Sequence, residues 1–134
     1  MSNFSAFFKE NLPQNEAIEY KVSDRFSEPF KLKGITEEQH EAVKNAATKR
    51  KPIGRGQYST EMDTNKYGYL LCAASITYPD LNNAELQDNY GVKTPDGLLK
   101  KMLNAGEFTD LFLKVQELNG FDKTFDEMKD EVKN

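Results

Sequence analysis

Between Lys66 and Tyr78 the chain reads KYGYLLCAASITY, the most apolar stretch of a very polar sequence. Charged residues make up 30% of the 134, and the mean hydropathy is −0.76. The rest of the fold is therefore expected to arrange itself around this segment. Tyr67, Leu70, Leu71, Ala74 and Tyr78 recur at helical spacing, which predicts a central helix. Ser59 or Thr60 is its expected N-cap, and Pro79 with Asp80 its expected end. A chain of this length is about the size of one domain and buries one core without disulfide staples.

Upstream, Phe4, Phe7, Phe8 and Leu12 follow the i, i+3, i+4, i+8 pattern of a short amphipathic helix ended by Pro13. Ile18, Tyr20 and Val22 then alternate with polar residues, as do Phe30 and Leu32. Two half-buried strands with a turn near Ser27–Pro29 are expected there. Thr36 and Gln39 form a capping-box pattern that opens a helix through about Lys49. KRKPIGRGQ reads as a loop, because Pro52, Gly54 and Gly56 interrupt regular structure.

Downstream, Asn82 or Asn83 caps a short helix carrying Leu86 and Tyr90, closed by Gly91. Thr94 and Pro95 open the next, with Leu98, Leu99, Met102 and Leu103. Phe108, Leu111, Phe112, Val115 and Leu118 mark another amphipathic helix, stopped by Gly120. Thr124 and Glu127 open a last one bearing Phe125, Met128 and Val132. The expected fold is α+β, mainly α: a small N-terminal β-hairpin packed on a bundle of about five or six short helices. One domain spans residues 1–134, with the helix and hairpin in 1–35 and the helical part in 36–134.

Chemistry finds little footing. YPDLNNAELQDNYGV, Tyr78 to Val92, is rich in acids and amides. Counted from Asp80 as a calcium loop, it places Glu85 where a glycine is needed and Gly91 where a bidentate Glu is needed. It reads instead as turns and caps. His40 is the single histidine, too few for the three or four side chains of a zinc site. Cys72 sits in LLCAAS, where a buried small hydrophobe is the commoner role than a nucleophile paired with His40. With one cysteine the chain forms no internal disulfide. The acid pairs Glu37–Glu38, Asp126–Glu127 and Asp130–Glu131 lie beside lysines, as on solvated helix faces. Lys49, Arg50, Lys51 and Arg55 lack the Gly-Lys-Ser/Thr end of a phosphate loop. They suit a solvated loop, or one docking on an acidic partner or a neighbouring subunit. A net charge of −4 disfavours general binding to nucleic acid or anionic membranes. No apolar run approaches the ~20 residues of a membrane span, and MSNFSAFFKEN is not expected to act as a signal peptide.

Assembled in order, these segments resemble a known family. EMDTNKYGYLLCAASITYPDLNNAELQDNYGV (Glu61 to Val92) precedes LLKKMLNAGEFTDLFLKVQELNGFDK (Leu98 to Lys123). With FSAFFKEN (Phe4 to Asn11), Thr48–Arg50 and Arg55–Tyr58, they are similar to the XkdN-like tail assembly chaperones of contractile-tailed phages and defective prophages. The resemblance implies a non-catalytic protein with no cofactor and no metal, acting in the cytoplasm of the bacterial host. Its implied partners are the tape-measure protein and other tail proteins. The edge of the hairpin is the expected contact for any self-association, and no nucleic acid or membrane partner is expected. The implied work is keeping the tape-measure protein soluble and leaving before the tail is finished. The ending DEMKDEVKN looks like the short product of a frameshifted pair. Phe108, Phe112 and Phe125 are the expected partner-binding residues. The rival expectations are a structural adaptor retained in the tail and a nucleic-acid-binding regulator acting through Lys49–Arg55.

Overall fold

A computed structural model describes residues 4–121. Among these, five α-helices and five strands form, and helix takes 49% and strand 19%. The strands are β1 (Ile18–Tyr20), β2 (Phe30–Leu32), β3 (Thr48–Gly54), β4 (Gln57–Met62) and β5 (Ile76–Tyr78). The helices are α1 (Glu37–Ala47), α2 (Thr64–Ser75), α3 (Ala84–Asn89), α4 (Pro95–Met102) and α5 (Ala105–Leu118).

The expected α+β, mainly α arrangement, with an N-terminal hairpin seated on a helical bundle, is overturned. β1 and β2 do pair antiparallel, Ile18 opposite Leu32 and Tyr20 opposite Phe30. However, β2 is the centre of a three-stranded sheet in the order β1-β2-β5. A hairpin alone would leave one edge of β2 with unpaired amides, and β5 closes it. The residues that do so, Ile76–Tyr78, follow α2 with no gap. At the N-terminus, two 3₁₀ turns, Ser5–Phe7 and Lys9–Asn11, replace the expected amphipathic helix. Phe8 between them is extended (φ −66°, ψ 139°), and so short a segment gains too few hydrogen bonds to offset helix nucleation.

The largest departure lies at KRKPIGRGQ. Instead of a loop, β3 and β4 form a separate two-stranded antiparallel ribbon from Thr48↔Met62 to Gly54↔Gln57. Its turn uses positive φ at Gly54 (104°), Arg55 (54°) and Gly56 (72°), a run that two glycines make accessible. α1 therefore ends at Ala47 and runs straight into a strand.

Local caps behave as their chemistry demands. Thr36 Oγ1 accepts from Gln39 N at 3.2 Å while Gln39 Oε1 accepts from Thr36 N at 2.9 Å. Asn83 caps α3 and Thr94 caps α4, whose first residue is Pro95. The N-cap of α2 is Asp63 rather than Ser59 or Thr60, which lie in β4. The buried side of α2 is Gly68, Leu71, Cys72 and Ser75, whereas Ala74 and Tyr78 are exposed. Small residues win this face because α5 comes close. A Cβ built on Gly68 would meet the Phe112 ring at 3.5 Å.

The core joins Leu32, Leu71, Cys72, Leu98, Leu99, Leu111 and Val115 from the sheet and three helices, with Phe30 and Met102 beside them. Asn119 stitches its edge. Its side chain accepts from Ile35 N at 2.8 Å and donates to Val115 O at 2.9 Å and to Ser75 Oγ at 3.3 Å.

Arg25, in the β1–β2 connection, clamps the α4–α5 junction. It donates to Met102 O and to both Glu107 carboxylate oxygens, and Glu107 also accepts from Asn104 N at 2.8 Å. The Arg25 guanidinium, then the Asn104 amide and the Ser23 hydroxyl, hold the Glu107 carboxyl down at about 2, against 4.5 ordinarily. A depressed carboxyl favours the folded state above its unfolded value, and that contribution is lost as the folded carboxyl takes up its proton. In urea titrations, the wild type should lose stability as pH falls from 4.5 towards 2. Glu107→Gln should be less stable at pH 7 and lose less over that interval. Equal losses in both proteins would show that this clamp does not set the acid response.

Candidate docking surfaces

Tyr78–Val92 serves as structural punctuation. Asp80 Oδ1 accepts from Asn82 N at 3.0 Å, Asn83 Oδ1 from Leu86 N at 2.9 Å, and Gln87 Nε2 donates to Leu81 O at 2.8 Å. Among the described residues, no group of three His, Cys, Asp or Glu side chains is placed to hold a metal ion. No described helix is long and apolar enough to cross a membrane. His40 pairs with Tyr67, Nε2 to Oη at 2.7 Å, and its ring lies 5.0 Å from that of Phe121. Cys72 is fully buried, and burial pushes its thiol up to about 12. A thiol so placed is almost never the thiolate that attacks or ligates.

Three surfaces stand out among the described residues. The first is a groove of about 420 Å³ between α1 and α2. Its floor is made of small or apolar side chains: Ala42, Val43 and Ala46 from α1, and Leu70, Ala73 and Ala74 from α2. The i, i+4 spacing of Ala42 and Ala46 puts both on one helix face, and the alanines keep the trough shallow and broad. Among the described residues the lining carries one acid, Asp80, and no base. Glu38 stands one turn before Ala42 on α1, outside that lining, and Glu41 lies farther along the same helix.

The second surface is the N-terminal segment. Phe4 and Phe7 are 68% and 73% exposed. Leu12 and Pro13 border a neighbouring cavity that shares Gln39, Ala74 and Thr77 with the groove. The third is the β3–β4 ribbon, where every residue but Ser59 is exposed. Alternation sorts its faces. Arg50 lies over the Tyr58 ring, 4.2 Å from its centroid, on one side, and Lys51 reaches Glu61 at 3.9 Å on the other.

Of the residues expected to bind a partner, Phe108 and Phe112 line none of these three surfaces. Phe108 and Phe112 are half-buried against α2, their centroids 6.2 Å apart, with Tyr69 4.6 Å from Phe108. Phe125 lies outside the described residues. Sequence reasoning passed over the groove alanines. Their mark was faint: small residues at helical spacing in EAVKNAA and AAS, where a solvated face would carry long polar side chains.

Known proteins share this chain's pattern. A family model for phage XkdN-like tail assembly chaperone proteins matches residues 4–133. The phage-like element PBSX protein XkdN of Bacillus subtilis (strain 168) is 28% identical over 140 residues, covering 98% of this chain and 94% of the relative. The uncharacterized protein YqbN of the same strain is 27% identical, covering 98% and 93%. The crystal structure of the protein YqbN matches with a TM-score of 0.73 at 22% identity, covering 90% of this chain and 98% of that one, a likeness of fold.

Proposed function

The chain belongs to the family of phage XkdN-like tail assembly chaperones, and from that premise we propose that it binds the tape-measure protein and keeps it soluble while the tail is built. It does so without catalysis, in the cytoplasm of the bacterial host. The observation that carries this reading is the α1/α2 groove. An amphipathic helix recognised in a groove lays its apolar stripe on an apolar floor, and here alanines leave room for the client's larger side chains. Phe108 and Phe112 take part by holding α2, one wall of the groove, at its distance from α5.

Ala42→Glu with Ala46→Glu tests it. Both positions are exposed on α1, so the change in stability should stay within about 0.5 kcal/mol. Two carboxylates facing a client's apolar stripe should weaken binding by about tenfold or more. Co-expressed with the tape-measure protein, the variant should leave most of that protein in the insoluble fraction, where the wild type keeps it soluble. Equal solubility and co-purification would defeat this reading. Mass spectrometry of finished tails separates the rival adaptor role, in which the chain is retained.

A further inference from the structure

The β3–β4 ribbon is too exposed to be explained by the fold around it. A two-stranded ribbon is marginal in water unless one face packs against something. Among the described residues neither face is covered, and Ile53 and Tyr58 are 60% and 56% exposed. Its charge is as uneven as its packing. Four bases, Lys49, Arg50, Lys51 and Arg55, stand against one acid, Glu61, a balance of +3 between Thr48 and Met62. The whole chain carries −4, so the remainder carries −7. The molecule is a basic arm on an acidic body.

We propose that the ribbon of one copy docks in the α1/α2 groove of a second copy, at the end that carries Asp80. The match is one of charge and of surface. Ile53 and Tyr58 supply apolar side chains to the alanine floor, and Arg55 at the ribbon tip meets Asp80 and Glu38. Among the described residues Arg55 pairs with no acid of its own chain. The ribbon does not reach its own groove. β3 follows α1 without a linking residue, and Asp63 N bonds Ala47 O at 2.8 Å where the strands meet the helices. The ribbon, about 20 Å long, leaves the α1/α2 pair at that end, and no described ribbon residue lines the groove. Gln39 and Thr77 mark the groove's opposite end. The ribbon and the groove's Asp80 end lie at opposite ends of the α1/α2 pair, so the contact is head-to-tail and repeats from copy to copy. This inference shares its groove with the proposed client, which would then compete with the neighbour's ribbon for one seat.

Sedimentation velocity of the full chain without client tests it, over a concentration series at low and high salt. Self-association should be clear at low salt and weaken by about tenfold or more between ~50 and ~500 mM salt. Arg55→Glu and, separately, Ile53→Asp should each weaken it by about tenfold, with unchanged circular dichroism. Asp80→Lys should do the same from the receptor side, with Glu38→Lys as a second variant should Asp80→Lys not fold. Mixing Arg55→Glu with Asp80→Lys should restore association. A chain that stays monomeric at every concentration and salt, or variants that associate like the wild type, overturns the proposal. So does a ribbon that binds RNA while the chain stays monomeric. Association that a tape-measure fragment fails to displace would leave the ribbon contact standing and count against the groove as the client's seat.

Discussion

Leu71→Ala will lower the unfolding free energy by about 2–5 kcal/mol. Leu71 sits at the middle of α2 with no exposed surface, within the cluster that includes Leu32, Leu98, Leu99 and Leu111. Removing its isobutyl group forfeits the transfer of those carbons out of water and leaves a void. α4 and α5 flank α2, and their own buried leucines hold them in place, so the void collapses only in part. Urea unfolding should show a lower midpoint at an unchanged slope, since the surface exposed on unfolding is almost the same. Leu113→Ala is the internal control. Leu113 is 60% exposed on α5 and should change stability by less than about 0.5 kcal/mol. A Leu71→Ala protein as stable as the Leu113→Ala one would mean that this core is not where the structure puts it.

Cys72 will react with a thiol reagent at pH 8 at least about a thousandfold more slowly in the native protein than in urea. A thiol pushed up to about 12 is ionised in roughly one molecule in ten thousand at that pH. An ordinary thiol there is ionised in roughly a tenth to a quarter of molecules. Full burial then denies the reagent access as well. Native labelling therefore reports transient opening of the core. The two experiments check one another. Leu71 and Cys72 are adjacent on the same buried face, so the stability lost in Leu71→Ala should return as faster labelling of Cys72, about tenfold for each 1.4 kcal/mol. Rapid native labelling in the wild type would show that the α2 face is open to solvent.

Features that depend on a few neighbouring residues were legible in the sequence. The Thr36–Gln39 box, the Asn83 cap and the Thr94–Pro95 start each rest on a side chain bonding an amide three residues on, and each forms where its pattern stands. Pairing across distance was not legible. Ile76–Tyr78 follows LLCAAS without a break, so its apolar residues read as more helix. Only β2, more than forty positions away, makes them a strand. The ribbon hid for the opposite reason. Glycine, proline and four bases usually signal a loop, yet backbone pairing between two exposed strands needs no apolar alternation to direct it. The groove was hidden in the same way. Phe108 and Phe112 stand out in the sequence as large aromatic residues, and both are half-buried against Gly68. The groove is made by what is missing from four alanines, an absence that acquires meaning only once two helices lie side by side.

The ribbon's direct splice between α1 and α2 imposes a rule of parity on change. Residues added at its tip never enter the core, so the body tolerates arms of different reach. A strand turns its side chains over at each step, however. One residue added to each strand at the base of the ribbon would carry Arg50 and Tyr58 to the side now held by Lys51 and Glu61. Two added to each would restore the original sides and lengthen the arm by about 7 Å. The arm is thus a measuring stick whose usable marks fall only at even intervals.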